Sequence, residues 1–127
     1  MRRAALAVIW AHLAVVAVHG VAHAQLGLWP SPAEGAFIAA FIYLGPLAAA
    51  LLLQRGRARA GMGVLAASMI GSLAFATHHH FIAVSPDHVA HLPPGAWRLP
   101  FQVTAYLAAP VDALGAALGA FALARRS

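Results

Sequence analysis

The histidines are the residues of this chain whose type and placement could do chemistry. The sequence holds eight histidines and no cysteine among 127 residues. Imidazole is costly to place in hydrocarbon, and it is the commonest protein ligand for transition metals. Only His12 lies deep within a predicted helix. The other seven fall near one predicted end of the molecule, which we call the outer end. They are His19, His23, His78, His79, His80, His88 and His91. This gathering from separate segments predicts a shared task, of which metal binding is the first to test.

Two of these histidines have the spacing of one helical turn. His19 and His23 are four residues apart, about 6 Å along a helix axis, so they can share one ion. His12 shares their face but lies ~10 Å deeper than His19, and we therefore treat it separately.

A second pair lies in the segment Asp87-His88-x-x-His91. Two imidazoles three residues apart project from the same face of a helix, which lets both reach one cation. The motif is weak evidence alone but gains weight beside the other histidines at the same end. Asp87 would be a ligand or would support one. The predicted metal ligands are His19, His23, one of His79 or His80, His88 and His91.

The ligand types limit the choice of metal. The absence of cysteine excludes thiolate sites, iron–sulfur clusters, covalently attached haem and disulfides. Neutral imidazole with a carboxylate suits zinc, copper(II), iron(II) or nickel. We expect a transition-metal ion, copper or zinc first and iron as a further option. Transport, storage and redox roles stay open, as does whether the protein is an enzyme.

Two other interpretations belong to different classes. In the first, the chain binds haem b between axial histidines, His19 or His12 on a first predicted membrane span (about 4–28) and His79 or His80 on a third (about 61–82). In the second, it is a scaffold subunit without a cofactor that packs on a membrane-protein partner or on a second copy of itself through the Gly115 and Gly119 face. Single histidines also serve as interfacial anchors, which is the role we expect for His78.

His12 and Asp112 form a third constellation. Counting residues inward from the outer end places both near the middle of the membrane, where an isolated ionised carboxylate would be costly. Asp112 should therefore be protonated, hydrogen-bonded or paired, and His12 is the expected partner. The pair would act as a proton relay or as a buried clasp that fixes how the helices pack.

The composition identifies the elements that position these residues. The chain is 62% hydrophobic and 9% charged, whereas soluble domains are roughly a quarter charged. About 20 apolar helical residues cross a membrane. Four stretches meet this length, at about 4–28, 35–54, 61–82 and 101–124. We predict an all-α integral membrane protein, a four-transmembrane-helix bundle that forms a single domain over 1–127.

The loop between spans three and four carries helix-start signals. Ser85 can cap a helix, Pro86 suits its first position and Asp87 its first turn, while Pro93 and Pro94 would end this helix. We therefore predict a short interfacial helix at the outer surface.

The arginines predict the orientation of the chain. The net charge of +5 comes from eight arginines, and seven of them fall at the ends of spans opposite the histidines. The positive-inside rule then places both termini in the cytoplasm and the histidine cluster at the periplasmic face of a bacterial inner membrane. Because the basic residues are explained by topology, no nucleic-acid partner is predicted.

The first span has a competing interpretation as a cleaved secretory signal. Arg2 and Arg3 precede an apolar run that ends in Ala22-His23-Ala24, which fits an Ala-x-Ala cleavage site. The run is longer than the ~7 to 15 residues of a signal core and is interrupted by His12 and His19. An uncleaved span is therefore favoured.

Overall fold

A computed structural model describes residues 1–125, so Arg126 and Ser127, which belong to the predicted basic C-terminus, lie outside the described residues. The described chain is helical and contains no strand. Its four long helices are apolar and long enough to cross a membrane, which fits a multi-pass membrane protein. They are α1 (Arg2–Gln25), α2 (Pro32–Gln54), α3 (Ala58–Ile82) and α4 (Arg98–Ala124).

Local signals set the helix ends close to the predicted bounds. Helix α2 begins at Pro32 rather than at 35 because Ser31 and Glu34 form a capping box. The Ser31 hydroxyl accepts the Glu34 backbone N–H at 3.2 Å, and the Glu34 carboxylate accepts that of Ser31 at 2.7 Å. Helix α1 is followed by Gly27, whose positive φ of 70° allows the chain to turn back.

Two π-helical turns interrupt the α-helical hydrogen bonding on the outer half of the bundle. One spans Ile38–Leu44 in α2, just before Pro46, and the other spans His78–Ile82 at the end of α3. A π turn shifts the face that the following side chains present, and such turns are frequent at functional sites.

Helices α3 and α4 make the most extensive contact in the bundle. Helix α4 packs against both α1 and α3, while α2 rests mainly on α3. Gly115 and Gly119 are buried against neighbouring helices of the same chain, so this face is not open to a partner or a second copy as the scaffold interpretation expected. A Cβ added at Gly119 would lie 2.7 Å from the Met62 carbonyl oxygen and 2.8 Å from the Ala66 nitrogen, so α3 and α4 approach each other closely there.

The core has an inner and an outer part. The inner cluster fills the end opposite the histidines with residues such as Ile9, Leu65 and Met69. The outer cluster joins Ala22, Phe101 and Ala105 to Val89 and Leu92 of the loop, so the loop is anchored over the outer end.

The predicted interfacial helix is wrong. Residues 83–97, all within the described part of the chain, form turns instead. The reason is that a helix would use the Val89 N–H to bond the Ser85 carbonyl, whereas here that N–H donates to the His80 carbonyl at 3.0 Å. The His88 N–H reaches back only three residues, to the Ser85 carbonyl at 3.1 Å.

Candidate metal centre

Three histidines converge at the outer end and could hold a metal ion. His19 and His23 lie on α1 and His80 lies on α3, and one ring nitrogen from each lies within 4.8 Å of the others. The Nε2 atoms of His19 and His80 are 3.1 Å apart. We call these three residues the histidine triad.

Helical geometry places each member of the triad. His19 and His23 lie one turn apart on α1, as their spacing predicts. His80 lies in the π turn that ends α3, where the Ala83 N–H donates to the His78 carbonyl five residues back, at 2.8 Å. This turn directs His80 inward, where it is 5% exposed. His79 is not part of the converging group, and its Nδ1 lies 3.8 Å from a Glu34 carboxylate oxygen, but it borders the same cavity as the triad.

Hydrogen bonds set the protonation of two of the triad rings. The Nδ1 atom of His23 lies 3.1 Å from the Leu28 carbonyl oxygen, and that of His80 lies 2.9 Å from the Asp87 carbonyl oxygen. A carbonyl oxygen only accepts, so both Nδ1 atoms must carry the proton. Each neutral ring then presents an Nε2 lone pair, the form in which histidine binds a metal while its other nitrogen is held by an oxygen.

The third ring is held by the Thr104 hydroxyl. His19 Nδ1 lies 2.8 Å from Thr104 Oγ1, which lies 2.6 Å from the Pro100 carbonyl oxygen. When the hydroxyl donates to Pro100, it accepts Nδ1–H from His19, and the His19 and His80 Nε2 lone pairs face each other. The two lone pairs repel each other, and a cation bound between them would remove this repulsion. Without one, the hydroxyl can turn to His19 Nδ1, and His19 then donates through Nε2 to His80.

One distance in the triad suits a tetrahedral ion. Two nitrogens at ~2.05 Å from a tetrahedral zinc lie about 3.3 Å apart. The 3.1 Å separation of the His19 and His80 Nε2 atoms is close to this value, whereas the triad as a whole spans up to 4.8 Å, so its third nitrogen must move closer to complete the geometry.

One side of the triad is closed and the other is open. The buried Phe101 ring packs on all three imidazoles, with ring centroids 4.4 Å from His19, 4.7 Å from His23 and 5.2 Å from His80. The same three histidines line a cavity of about 680 Å³ that Phe101 does not border. The cavity lies between the outer halves of α1, α2 and α3, with two residues of α4, and extends inward to Ser72.

His88 and His91, which were predicted to share one ion with the other histidines, are not brought to the triad in the structure. The converging group among the described residues contains only the triad. His88 donates from Nε2 to the Phe81 carbonyl at 3.2 Å and accepts the Ala90 N–H on Nδ1 at 3.1 Å, which occupies both nitrogens. His91 is exposed and packs its ring on His88. The missing helix explains this, because the two imidazoles no longer project from a common helical face toward the bundle.

Asp87 supports the triad through its backbone. Its carbonyl oxygen accepts from His80, while its carboxylate accepts from the Ser85 hydroxyl and lines the cavity. His78 is exposed, and the anchor role expected for it stays a prediction.

His12 and Asp112 lie in contact at the centre of the bundle, 1% and 0% exposed. His12 Nδ1 is 2.6 Å from Asp112 Oδ1, and His12 Nε2 is 2.8 Å from the Ile42 carbonyl oxygen. A carbonyl oxygen only accepts, so His12 Nε2 must carry a proton. One further proton is shared between His12 Nδ1 and Asp112 Oδ1. The pair has no net charge whichever of these two atoms holds that proton. Ser72 donates to Asp112 Oδ2 at 2.6 Å.

Sequence reasoning missed Ser72 and Thr104. The spacing of each residue could have indicated its role. Thr104 lies eight residues, about two helical turns, before Asp112 on the same face of α4. Ser72 lies two turns inward of the His78–His80 run, at the depth of the buried pair.

Comparisons of this chain with protein families, with curated proteins and with solved structures find no match.

Proposed function

We propose that this chain is a multi-pass protein of a bacterial inner membrane that binds one transition-metal ion through the histidine triad at its periplasmic face. Its role is metal handling or assistance to a metalloenzyme. It works within a lipid bilayer, where it associates with a membrane-protein partner or with a second copy of itself. The observation that carries the proposal is the convergence of three imidazoles whose Nδ1 atoms are each held by an oxygen.

The ligand set favours zinc or copper(II), with iron(II) as a further option. Three neutral imidazoles are borderline ligands that suit these ions, whereas calcium and magnesium prefer an all-oxygen shell. The near-tetrahedral spacing of His19 and His80 is typical of zinc.

The haem alternative finds less support in the geometry. Axial nitrogens on opposite sides of a haem iron are about 4 Å apart, with the macrocycle between them. His19 and His80 approach to 3.1 Å, with no macrocycle-wide gap between their Nε2 atoms. The other two candidate axial ligands have other partners. His12 is hydrogen-bonded to Asp112 and to the Ile42 carbonyl oxygen, and His79 lies beside Glu34.

We expect the purified protein to bind one zinc or copper ion per chain, and alanine at His80 to weaken binding by ~100-fold or more. Loss of supporting residues alone typically costs 10- to 100-fold, and loss of a ligand should cost at least as much. The measurement is a competition titration with a chromophoric chelator in detergent. His19→Ala and His23→Ala should have similar effects.

The matched control is His91→Ala. His91 is exposed and lies outside the triad, so this variant should keep the affinity of the unaltered chain. Circular dichroism of every variant monitors the helical fold. If His80→Ala and His91→Ala bind equally well, or if His91→Ala alone loses the metal, the triad is not the site.

The proposed orientation places both termini in the cytoplasm. It is supported by Arg2, Arg59 and Arg125, which border one cavity at the end of the bundle opposite the triad. A reporter active only in the cytoplasm should give a signal when fused after the last residue and none when inserted at 93–96. Equal signals from the two fusions would contradict this orientation and the periplasmic location of the triad.

A further inference from the structure

The histidine triad supplies three ligands where a tetrahedral ion takes four. Structural zinc sites are closed by four protein ligands, whereas sites with three protein ligands keep one position for an exogenous molecule. Within residues 1–125, no carboxylate joins the converging group. The Asp87 carboxylate is bonded by the Ser85 hydroxyl.

The open position faces the cavity. Phe101 covers the triad on one side, with its ring 4.4 Å from that of His19, and it is 0% exposed. The three imidazoles border the cavity on the other side. A fourth ligand therefore reaches an ion in the triad from the cavity.

The cavity has the size and chemistry of a site for a small organic molecule. Its volume of about 680 Å³ lies within the ~300 to 1,000 Å³ of ligand pockets. Its inner wall is mainly apolar and includes Val16, Ile38, Ile42, Phe75 and Ala76.

The hydroxyls on the cavity wall are already engaged. Tyr43 donates to the Val16 carbonyl at 2.8 Å, and Ser72 donates to Asp112. Few free polar groups remain inside to hold ordered water, so an apolar body gains by displacing the water that is present. Polar groups gather at the outer part of the cavity, where His79, Glu34, Ser85 and Asp87 border it.

We propose that the cavity binds a small, mainly apolar molecule carrying a single metal-coordinating nitrogen or oxygen, which takes the open position on the triad-bound ion. This inference rests on the proposed metal binding and names the class of ligand that the same site receives. Binding involves coordination and burial of the apolar body, with no bond made or broken in the ligand.

The test uses the full-length protein loaded with cobalt(II), which replaces zinc and reports its coordination by visible absorption. Azide, imidazole and 1-phenylimidazole are the probes. All three should shift the cobalt bands, and 1-phenylimidazole should bind about tenfold tighter than imidazole because its ring is buried in the cavity.

A cavity-filling variant separates this site from partition into detergent. Ala76→Phe fills the cavity and should remove most of the tenfold advantage of 1-phenylimidazole, while cobalt and azide binding are retained. Ala74→Phe introduces the same side chain on the exposed face of α3 and should behave like the unaltered chain.

Three outcomes would overturn the inference. In the first, cobalt binds but no probe moves its spectrum; in the second, probes act only after Asp87→Asn, which would show that Asp87 closes the site. In the third, Ala76→Phe and Ala74→Phe affect 1-phenylimidazole equally. If no metal binds at all, the proposed function fails and this inference fails with it, which is a distinguishable result.

Discussion

Replacing Asp112 with leucine is expected to lower the free energy of unfolding by about 2–6 kcal/mol, because it leaves two buried donors or acceptors unpaired at ~1–3 kcal/mol each. The groups concerned are His12 Nδ1 and the Ser72 hydroxyl, both bonded to Asp112 at 2.6 Å. Both groups are largely shielded from water, since His12 is 1%, Ser72 is 2% and Asp112 is 0% exposed. Unfolding in mixed detergent with increasing dodecyl sulfate measures the change.

Asparagine at the same position provides the matched control. Its amide can donate to His12 Nδ1 while its oxygen accepts from Ser72, so every partner stays satisfied and the cost should stay below about 1 kcal/mol. A Ser72→Ala background should reduce the cost of leucine, because one of the two unpaired groups is already gone. If leucine and asparagine are equally stable, the hydrogen bonds do not hold the bundle together.

The same pair of variants distinguishes the two roles considered for His12 and Asp112. Asparagine keeps the hydrogen bonds of a structural clasp but cannot take up the proton that Asp112 shares with His12. A proton relay would therefore fail in Asp112→Asn while the fold survives. A clasp would be unaffected by asparagine and weakened by leucine.

The sequence was sufficient to predict the four long helices and part of the site. Helix bounds followed from apolar length, and the His19–His23 pair followed from the period of an α-helix. The choice between His79 and His80 did not follow, because the π turn at His78–Ile82 changes which face each residue presents.

The loop histidines show where local signals mislead. Ser85, Pro86 and Asp87 are good helix-start residues, but only six residues separate Pro86 from Pro93. So short a segment gains little from helix formation, and its backbone is used in tertiary bonds instead. The Val89 N–H and the Asp87 carbonyl both bond to His80. These bonds support the triad, so the segment contributes to the site through its backbone rather than its imidazoles.

Alanine at Gly119 is expected to destabilise the bundle by about 1–3 kcal/mol through overpacking. The added Cβ would lie 2.7 Å from the Met62 carbonyl oxygen and 2.8 Å from the Ala66 nitrogen. These are backbone atoms, so no side-chain rotation relieves the contact and α3 must move away from α4. Because α3 carries His80 while α4 carries Thr104 and Phe101, metal affinity should fall together with stability.

Gly63→Ala tests whether the effect comes from the close approach of the helices. A Cβ at Gly63 meets nothing within 4 Å, and alanine in a helix is favoured over glycine by about 0.5–1 kcal/mol. Gly63→Ala should therefore be neutral or stabilising and should leave metal affinity unchanged. Equal stability of the two variants would mean that α3 and α4 do not pack as closely as described. If Gly119→Ala were destabilised yet bound metal normally, the triad would not depend on the α3–α4 contact, and the ligands would be held in place by the outer cluster and the loop alone.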